Sequence, residues 1–453
     1  YIADGLACVL DTPVLETIVE LSLPEHTGLM QVQAPVRSGV PLPRGVLTPS
    51  DPVALFEGMV RLPTQVHPLS LWPDGSVRWL QVDTVVDLDP DEVLGLALKR
   101  LEEAPALANP IVVEELGESV HIDTGPMQVE IGTTRGSGIV EVQVDGETLI
   151  AAPNENATDR GPFTNSAYGI RQTSESAPPA GDPAETYLNY VSGSGMPAVE
   201  FHRVTPWELD VAIEEDGPLH TVVRVSGAQL TSDGETEGLY TTRYHFWRGA
   251  RAIDVQHQWV YTGAGSLDPI QSYGYQVPFP STERAAEGES ADVARLSHLE
   301  FASYVRNGAP VSGQAAPVVS ARNGERGVAV MLEGMATSFP KALVADSEHL
   351  RAELYAEDAP EWDLSRYSNQ LGNGENSGSS VGAQGLATGD FLRLEFTSSG
   401  FDTQRLLDQA HTLNAGPLQI WATPEWYSAS EVMGVGPFVF ANEKSADVYY
   451  RID

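Results

Sequence analysis

Segments that alternate apolar and polar residues recur along this chain, each closed by turn residues. Glu16-Thr-Ile-Val-Glu-Leu-Ser-Leu23, Met30-Gln-Val-Gln-Ala-Pro-Val36, Leu219–Ser226, Tyr240–Trp247 and Ala252–Tyr261 all run at period two. That spacing sends one face of a strand to a core and the other to water. The 42 glycines and 32 prolines are spread along the whole length, which suits many short strands joined by turns and disfavours long helices. The fold class expected is all-β, antiparallel.

Residues 13–88 read as a small β domain. The stretch Asp89–Glu103 is open between a short helix and a strand, and Pro105 and Pro110 end it, so a boundary is expected near 105–110. From 111 a second β system begins. Val120–Ile131, Ile139–Val144 and Glu147–Ile150 form a strand series, with Asp145-Gly146 as a hairpin turn. Residues 151–197 are rich in Asn, Ser, Pro and Gly, and 371–385 is nearly all Gly, Ser, Asn and polar residues; both read as loops. Thr403–His411 is the best helix candidate, and no internal repeat is visible.

The net charge of −37, from 63 acidic against 26 basic residues, repels nucleic acid and anionic lipid. Only three residues are lysine: Lys99, Lys341 and Lys444. Such a surface keeps a protein dispersed in salty water, which fits a saline habitat. It disfavours a polyanionic ligand unless positive charge is gathered locally. A single cysteine, Cys8, excludes an internal disulfide. Leu6-Ala7-Cys8 is a superficial lipoprotein box that lacks an apolar run before it, and Asn156-Ala-Thr158 is the one obvious sequon. No apolar run approaches the ~18 residues of a membrane helix.

The most specific wording lies in Pro68-Leu-Ser-Leu-Trp-Pro-Asp-Gly-Ser-Val-Arg-Trp-Leu-Gln-Val-Asp83. Physically it is a strand end, a Pro73-Asp74-Gly75 turn and a second strand. Together with Arg37-Ser-Gly-Val-Pro-Leu-Pro-Arg-Gly45 and Gln65, it resembles the first domain of the exo-rhamnogalacturonan lyases and their YetA-like bacterial relatives. Weaker similarities continue through Asp123-Thr-Gly125, Asp216-Gly-Pro-Leu219, Arg243, Gly249, His257, Phe339-Pro-Lys341 and Ala422-Thr-Pro-Glu-Trp-Tyr427 to Gly434, spanning about residues 25–440. The resemblance implies a barrel-like N-terminal domain followed by a large antiparallel β-sandwich. The domains expected are an N-terminal segment over 1–24, a barrel-like domain over 25–105 and a sandwich over 106–453.

The resemblance implies a C-terminal α/α toroid that walls the substrate cleft in complete members, and the expectation for this sequence, read to Asp453, is that the toroid is absent. Where members read roughly G-V-A-K-T-H-E-L, this chain has Thr388, Gly389, Asp390 and Phe391. The basic residue and the imidazole are replaced. Lyase chemistry needs a base for the proton α to a uronate carboxylate and a cation for the enolate-like charge. The expectation is therefore a secreted, extracellular or cell-surface protein that does not catalyse. It would act as a self-assembling structural subunit or a carbohydrate-binding module. The alternative is an exo-acting rhamnogalacturonan lyase, truncated or with a remodelled site.

For an active protein the catalytic candidates are Arg243, His257 and Tyr427. Arg243 and His257 lie on adjacent strands, so a proton-transfer and charge-neutralising pair is weighed against a plain polar patch. Glu425, Trp426 and Tyr427 suit sugar stacking, or else an ordinary core aromatic pair. Self-association is expected through the N-terminal strand, with Val14, Ile18 and Leu21 as its apolar residues. Asp87–Glu92 gathers carboxylates that suit Ca²⁺ but fails as an EF-hand loop, since Glu92 stands at its sixth position and Leu98 at its twelfth. No cofactor is expected otherwise.

Overall fold

Two antiparallel β units make up the chain, one of residues 1–108 with 415–453 and one of 109–414. The computed structural model describes residues 14–104, 106–133, 138–151, 185–191, 197–201, 210–230, 236–262, 270–360, 362 and 385–433. Cys8, the sequon at Asn156, most of the polar stretch 371–385 and Gly434 lie outside them.

The first unit holds β1 (Val14–Pro24), β2 (Gln31–Pro41), β3 (Val53–Glu57), β4 (Val60–Arg61), β5 (Thr64–Leu71), β6 (Val77–Leu88) and β7 (Val93–Leu101). The segment that sequence left open between helix and strand is β7, paired antiparallel with β1 and β3. Its alternating Leu94, Leu96 and Leu98 are buried against Val19, Leu21 and Leu23 of β1. A second sheet, β2-β6-β5, closes over the same core.

The expected sandwich over 106–453 is shorter than sequence suggested. After α1 (Thr403–Ala415) the chain returns to the first unit. Leu418, Ile420 and Ala422 join its core, the Ile420 amide donates to Ser38 Oγ at 2.8 Å, and Trp421–Ala422 adds a short strand to β1. Apolar residues so close to the C-terminal end of the chain signal burial but not which core receives them.

The hairpin wording has a local physical cause. The Gly75 amide donates to the Trp72 carbonyl at 2.9 Å, and Gly75 sits at φ +87°, a conformation open to glycine at no steric cost. Asp74 Oδ1 accepts from the Ser76 amide and hydroxyl at 3.0 and 2.6 Å, closing the turn from within. Trp72 donates its indole N–H to the Leu42 carbonyl, and the guanidinium groups of Arg44 and Arg78 lie 5.3 and 4.9 Å from its ring.

In the second unit an eight-stranded and a nine-stranded antiparallel sheet enclose one large core, with a five-stranded sheet over Val112–Ile150 packed into it. The Asp145-Gly146 hairpin has φ of +50° and +83°, the two positive values a type I′ turn requires. The helix expected over 403–411 runs from Thr403 to Ala415. Leu406 and Ala410 face Val318 and Met331 on the back of the nine-stranded sheet.

Candidate functional site

The strand Thr236–Trp247 carries Arg243 and the strand Ala252–Tyr261 carries His257. Their register pairs Thr242 with His257 and Arg243 with Gln256. Cross-strand partners share a face, so Arg243 and His257 point to opposite sides of the nine-stranded sheet. The proton-transfer pair weighed from sequence does not form. Neighbouring strands at neighbouring positions were legible; the one-residue offset that decides the face was not.

Outward, arginine is matched by carboxylate. Arg243 donates to both oxygens of Glu214 at 2.6 and 3.2 Å and reaches Gln258 at 3.4 Å. Arg224 Nε lies 2.9 Å from the same Glu214, and its NH2 donates to Asp210 at 2.8 Å. Arg393 bridges Asp254 and Glu395 at 2.9 and 3.3 Å. Fork-shaped pairing of this kind spends the cationic charge on the protein itself.

Inward, His257 is fully buried beside Tyr240. Its Nδ1 is 2.9 Å from the Thr242 hydroxyl, and its Nε2 has no partner. Burial alone pushes the imidazole down to about 4, so it is neutral at ordinary pH. In register with it stands Asp390 of the strand Ala387–Thr397, whose Oδ1 meets Lys341 Nζ at 2.5 Å. On the same strand Thr388 shares a 2.8 Å hydrogen bond with Tyr273. Burial, and then the charge of Asp390, hold the Tyr273 phenol well above its usual range.

A lysine and an imidazole thus stand beside the segment 388–391, where the family resemblance implies residues of those two types. They come from other strands: Lys341 from the Phe339-Pro-Lys block, which contains a cis Phe339–Pro340 bond, and His257 from the neighbouring strand of the same sheet as Asp390. Only pairing across the sandwich assembles them, so no local motif announces the cluster. Lys341 and Asp390 are each 5% exposed and His257 is 0% exposed. They are core groups, closed to a polymer.

A further series escaped sequence reasoning. Glu215 Oε1 lies 3.2 Å from His220 Nδ1, and His220 Nε2 lies 3.1 Å from His245 Nδ1, with His220 tilted against Trp247 at 4.3 Å. The carboxylate orients the first imidazole and that imidazole orients the second, as relay chemistry requires. Glu215 precedes the Asp216-Gly-Pro turn and His220 follows it, a spacing without helical or strand periodicity to mark it.

The aromatic block falls in α2 (Pro424–Ser430), capped by the Thr423 side chain, which accepts from the Trp426 amide at 3.2 Å. Trp426 donates its indole N–H to the Pro41 carbonyl at 2.6 Å, and Trp426 and Tyr427 pack on the barrel core. Burial raises the Tyr427 phenol above its usual value. Glu425, in the first turn of α2, remains exposed. The core reading of Trp426 and Tyr427 describes their placement, and Tyr427 is in a different unit from Arg243 and His257.

Of the apolar residues expected to mediate assembly, only Val14 is exposed. Ile18 is half-buried and Leu21 lies in the core. Two register shifts in β1, between Val14 and Glu16 and between Thr17 and Val19, reset the alternation and expose Leu15 instead. The carboxylates of the 87–92 stretch cap backbone amides. Asp87 accepts from the Gln33 amide at 2.7 Å and Glu92 from the Asp89 amide at 2.8 Å. Asp91 donates its amide to Glu25 at 3.0 Å.

Residues 26–92 match the family described as the PcRGLX-like N-terminal RIFT barrel domain. The uncharacterized protein YetA of Bacillus subtilis (strain 168) is 22% identical over 253 residues, 55% of this chain. The chain spans 26% of that relative's length. Among solved structures, a glycosyl hydrolase family 38 protein from Enterococcus faecalis aligns at TM-score 0.50 and 10% identity, covering 89% of this chain and 47% of the other. An alpha-mannosidase from Enterococcus faecalis V583 aligns at TM-score 0.50 and 11% identity, covering 89% and 46%. These two likenesses concern the fold alone. No helix among the described residues is long and apolar enough to cross a membrane. With its first domain a RIFT barrel and its motif blocks in place, the chain resembles the YetA and rhamnogalacturonan lyase-like family.

Proposed function

We propose that this protein is a non-catalytic, extracellular structural subunit on a rhamnogalacturonan lyase-like scaffold, and that its copies associate through β1. The observation that carries the reading is the outer edge of β1. Among the described residues it pairs only at Leu21 and Ser22, with Ala422 and Trp421. Among the described residues, the outer edge from Val14 to Glu20 has no strand partner, and Val14 and Leu15 on it are exposed. An open edge is a template for a strand of a second copy. The bulges and the exposed Glu16 and Glu20 limit such pairing to a partner in matching register.

Against lyase chemistry stand the commitments of Arg243 to Glu214 and of His257 to the sandwich interior. Light scattering and electron microscopy of the full chain test the reading, with Leu15→Lys as the variant. A charge on the edge converts the assembly to monomer. A wild-type protein that stays monomeric at high concentration, or an assembly untouched by Leu15→Lys, removes it.

One observation bears on the sugar-handling alternative, the Glu215–His220–His245 series, in which His220 is buried and only Glu215 and His245 are half-buried. An absorbance assay for unsaturated uronate product decides it. Steady product formation that His220→Gln abolishes would replace the structural reading with an active exo-lyase.

A further inference from the structure

Lys341 opens the strand Lys341–Ala345 of the eight-stranded sheet, and Asp390 lies in the strand Ala387–Thr397 of the nine-stranded sheet. Leu343 and Ala345 on the first strand, and Leu392 and Leu394 on the second, belong to the core between the sheets. At period two the side chains of Lys341 and Asp390 point into that core as well. They face each other across it, closed off from solvent, with Nζ and Oδ1 2.5 Å apart.

The pair is chemically unlike the others. Among the described residues it is the one ion pair built on a lysine, and arginine serves in the neighbouring pairs. A guanidinium keeps its proton, whereas a buried amine gives it up and becomes a nucleophile. The second carboxyl oxygen, Asp390 Oδ2, is buried with no hydrogen-bond partner, so the carboxyl is not locked by other donors. His257 is the cross-strand partner of Asp390 and shares its face. Its imidazole is neutral, and its Nε2 is open.

We infer that Lys341 and Asp390 join in an intramolecular isopeptide bond that ties the two sheets of the second unit covalently. Burial disfavours both charges and drives the proton from the ammonium to the carboxylate within the pair. The neutral amine then attacks Asp390 Cγ. The carbon–nitrogen bond forms and one carbon–oxygen bond breaks. That oxygen leaves as water, with the carboxyl proton and one amine proton, and His257 relays a proton from nitrogen to oxygen. No oxidant, reductant or cofactor is consumed. Groups held in contact react as if at effective concentrations on the order of 10⁵–10⁸ M, and the closed core keeps water from the finished amide.

Newly folded protein carries the ion pair, and ion-pair energetics belong to that open form. The bond suits a structural subunit, since it closes the chain across 49 residues and holds the layers together when packing is strained. It does not depend on whether copies pair through β1, which lies in the other unit.

The mass of the intact full chain in denaturant, followed with time after refolding, tests the inference. Wild-type protein is expected to lose the mass of one water. Trypsin should then release residues 327–351 joined through Lys341 to residues 367–393. Lys341→Arg keeps the charge but not the amine, and should retain full mass and yield the two peptides separately. Asp390→Ala should do the same. His257→Gln should slow the loss of water by roughly tenfold or more, and an unchanged rate would remove the relay. Folded wild-type protein that keeps its full mass overturns the inference. So does a water loss that persists in Lys341→Arg, or one that maps to an Asp-Gly pair such as Asp145-Gly146, where closure to a backbone imide sheds the same mass. The wild-type mass and peptide map decide by themselves, whether or not the variants fold.

Discussion

Lys341 Nζ and Asp390 Oδ1 stand 2.5 Å apart on strands of opposite sheets, and neither residue is more than 5% exposed. The pair ties the two layers of the sandwich at a point where hydrophobic packing is interrupted by His257 and Tyr273. A buried ion pair adds little net stability, but removing one partner leaves an uncompensated charge. Lys341→Met is expected to destabilise the second unit by about 3–5 kcal/mol, while Lys341→Met with Asp390→Leu recovers most of that loss. Denaturant midpoints of the four proteins in this cycle check it. Equal damage from the single and double variants would show that the pair is not what matters.

His257 makes the sandwich acid-sensitive. Its folded value, about 4, lies below its ordinary 6.5. The unfolded chain therefore takes up a proton first as pH falls, and stability is lost between about 6.5 and about 4. The loss approaches ~3 kcal/mol once pH is below both values. His257→Gln should flatten that part of the stability–pH curve, measured by thermal unfolding from pH 7.5 to 4.

Glu25 acts at lower pH, in the barrel. Burial alone would raise its carboxyl, but hydrogen bonds from the Thr27 hydroxyl and from the amides of Asp91, Thr27 and Gly28 outweigh it and bring the group down to about 2. This stabilisation is complete above about 4.5 and lost as pH falls toward 2. Glu25→Gln should cost the first unit about 1–2 kcal/mol at neutral pH and make its unfolding midpoint less sensitive to acid below pH 4.5. Near-ultraviolet circular dichroism of the two proteins, titrated in parallel, reads the difference.

The turn of the signature hairpin gives the simplest test. A side chain at Gly75 meets no neighbour, so a substitution there is felt through backbone strain at φ +87°. Gly75→Ala is expected to destabilise the barrel by roughly 1–2 kcal/mol. Gly75→Asn should cost less, because asparagine tolerates the left-handed region. Unfolding midpoints that rank alanine at or above wild type would contradict the turn geometry.

The all-β class, the Pro73-Asp74-Gly75 and Asp145-Gly146 turns and the helix after Asp402 were legible because each depends on neighbours in the chain. Alternation and turn chemistry are local, and local chemistry is written in order along a sequence. Which face a side chain occupies is also local in principle, but one bulge or one step of register inverts it. That is why Arg243 and His257 parted and why Leu15 replaced Ile18 on the surface of β1. Lys341 and Asp390, 49 residues apart, and Ile420 and Ser38, 382 apart, meet through sheet pairing and core closure alone. Most strands and turns of this protein are written in neighbouring residues. Which charges are buried together follows from packing, because burial and pairing are properties of the assembled sheets and not of any one segment.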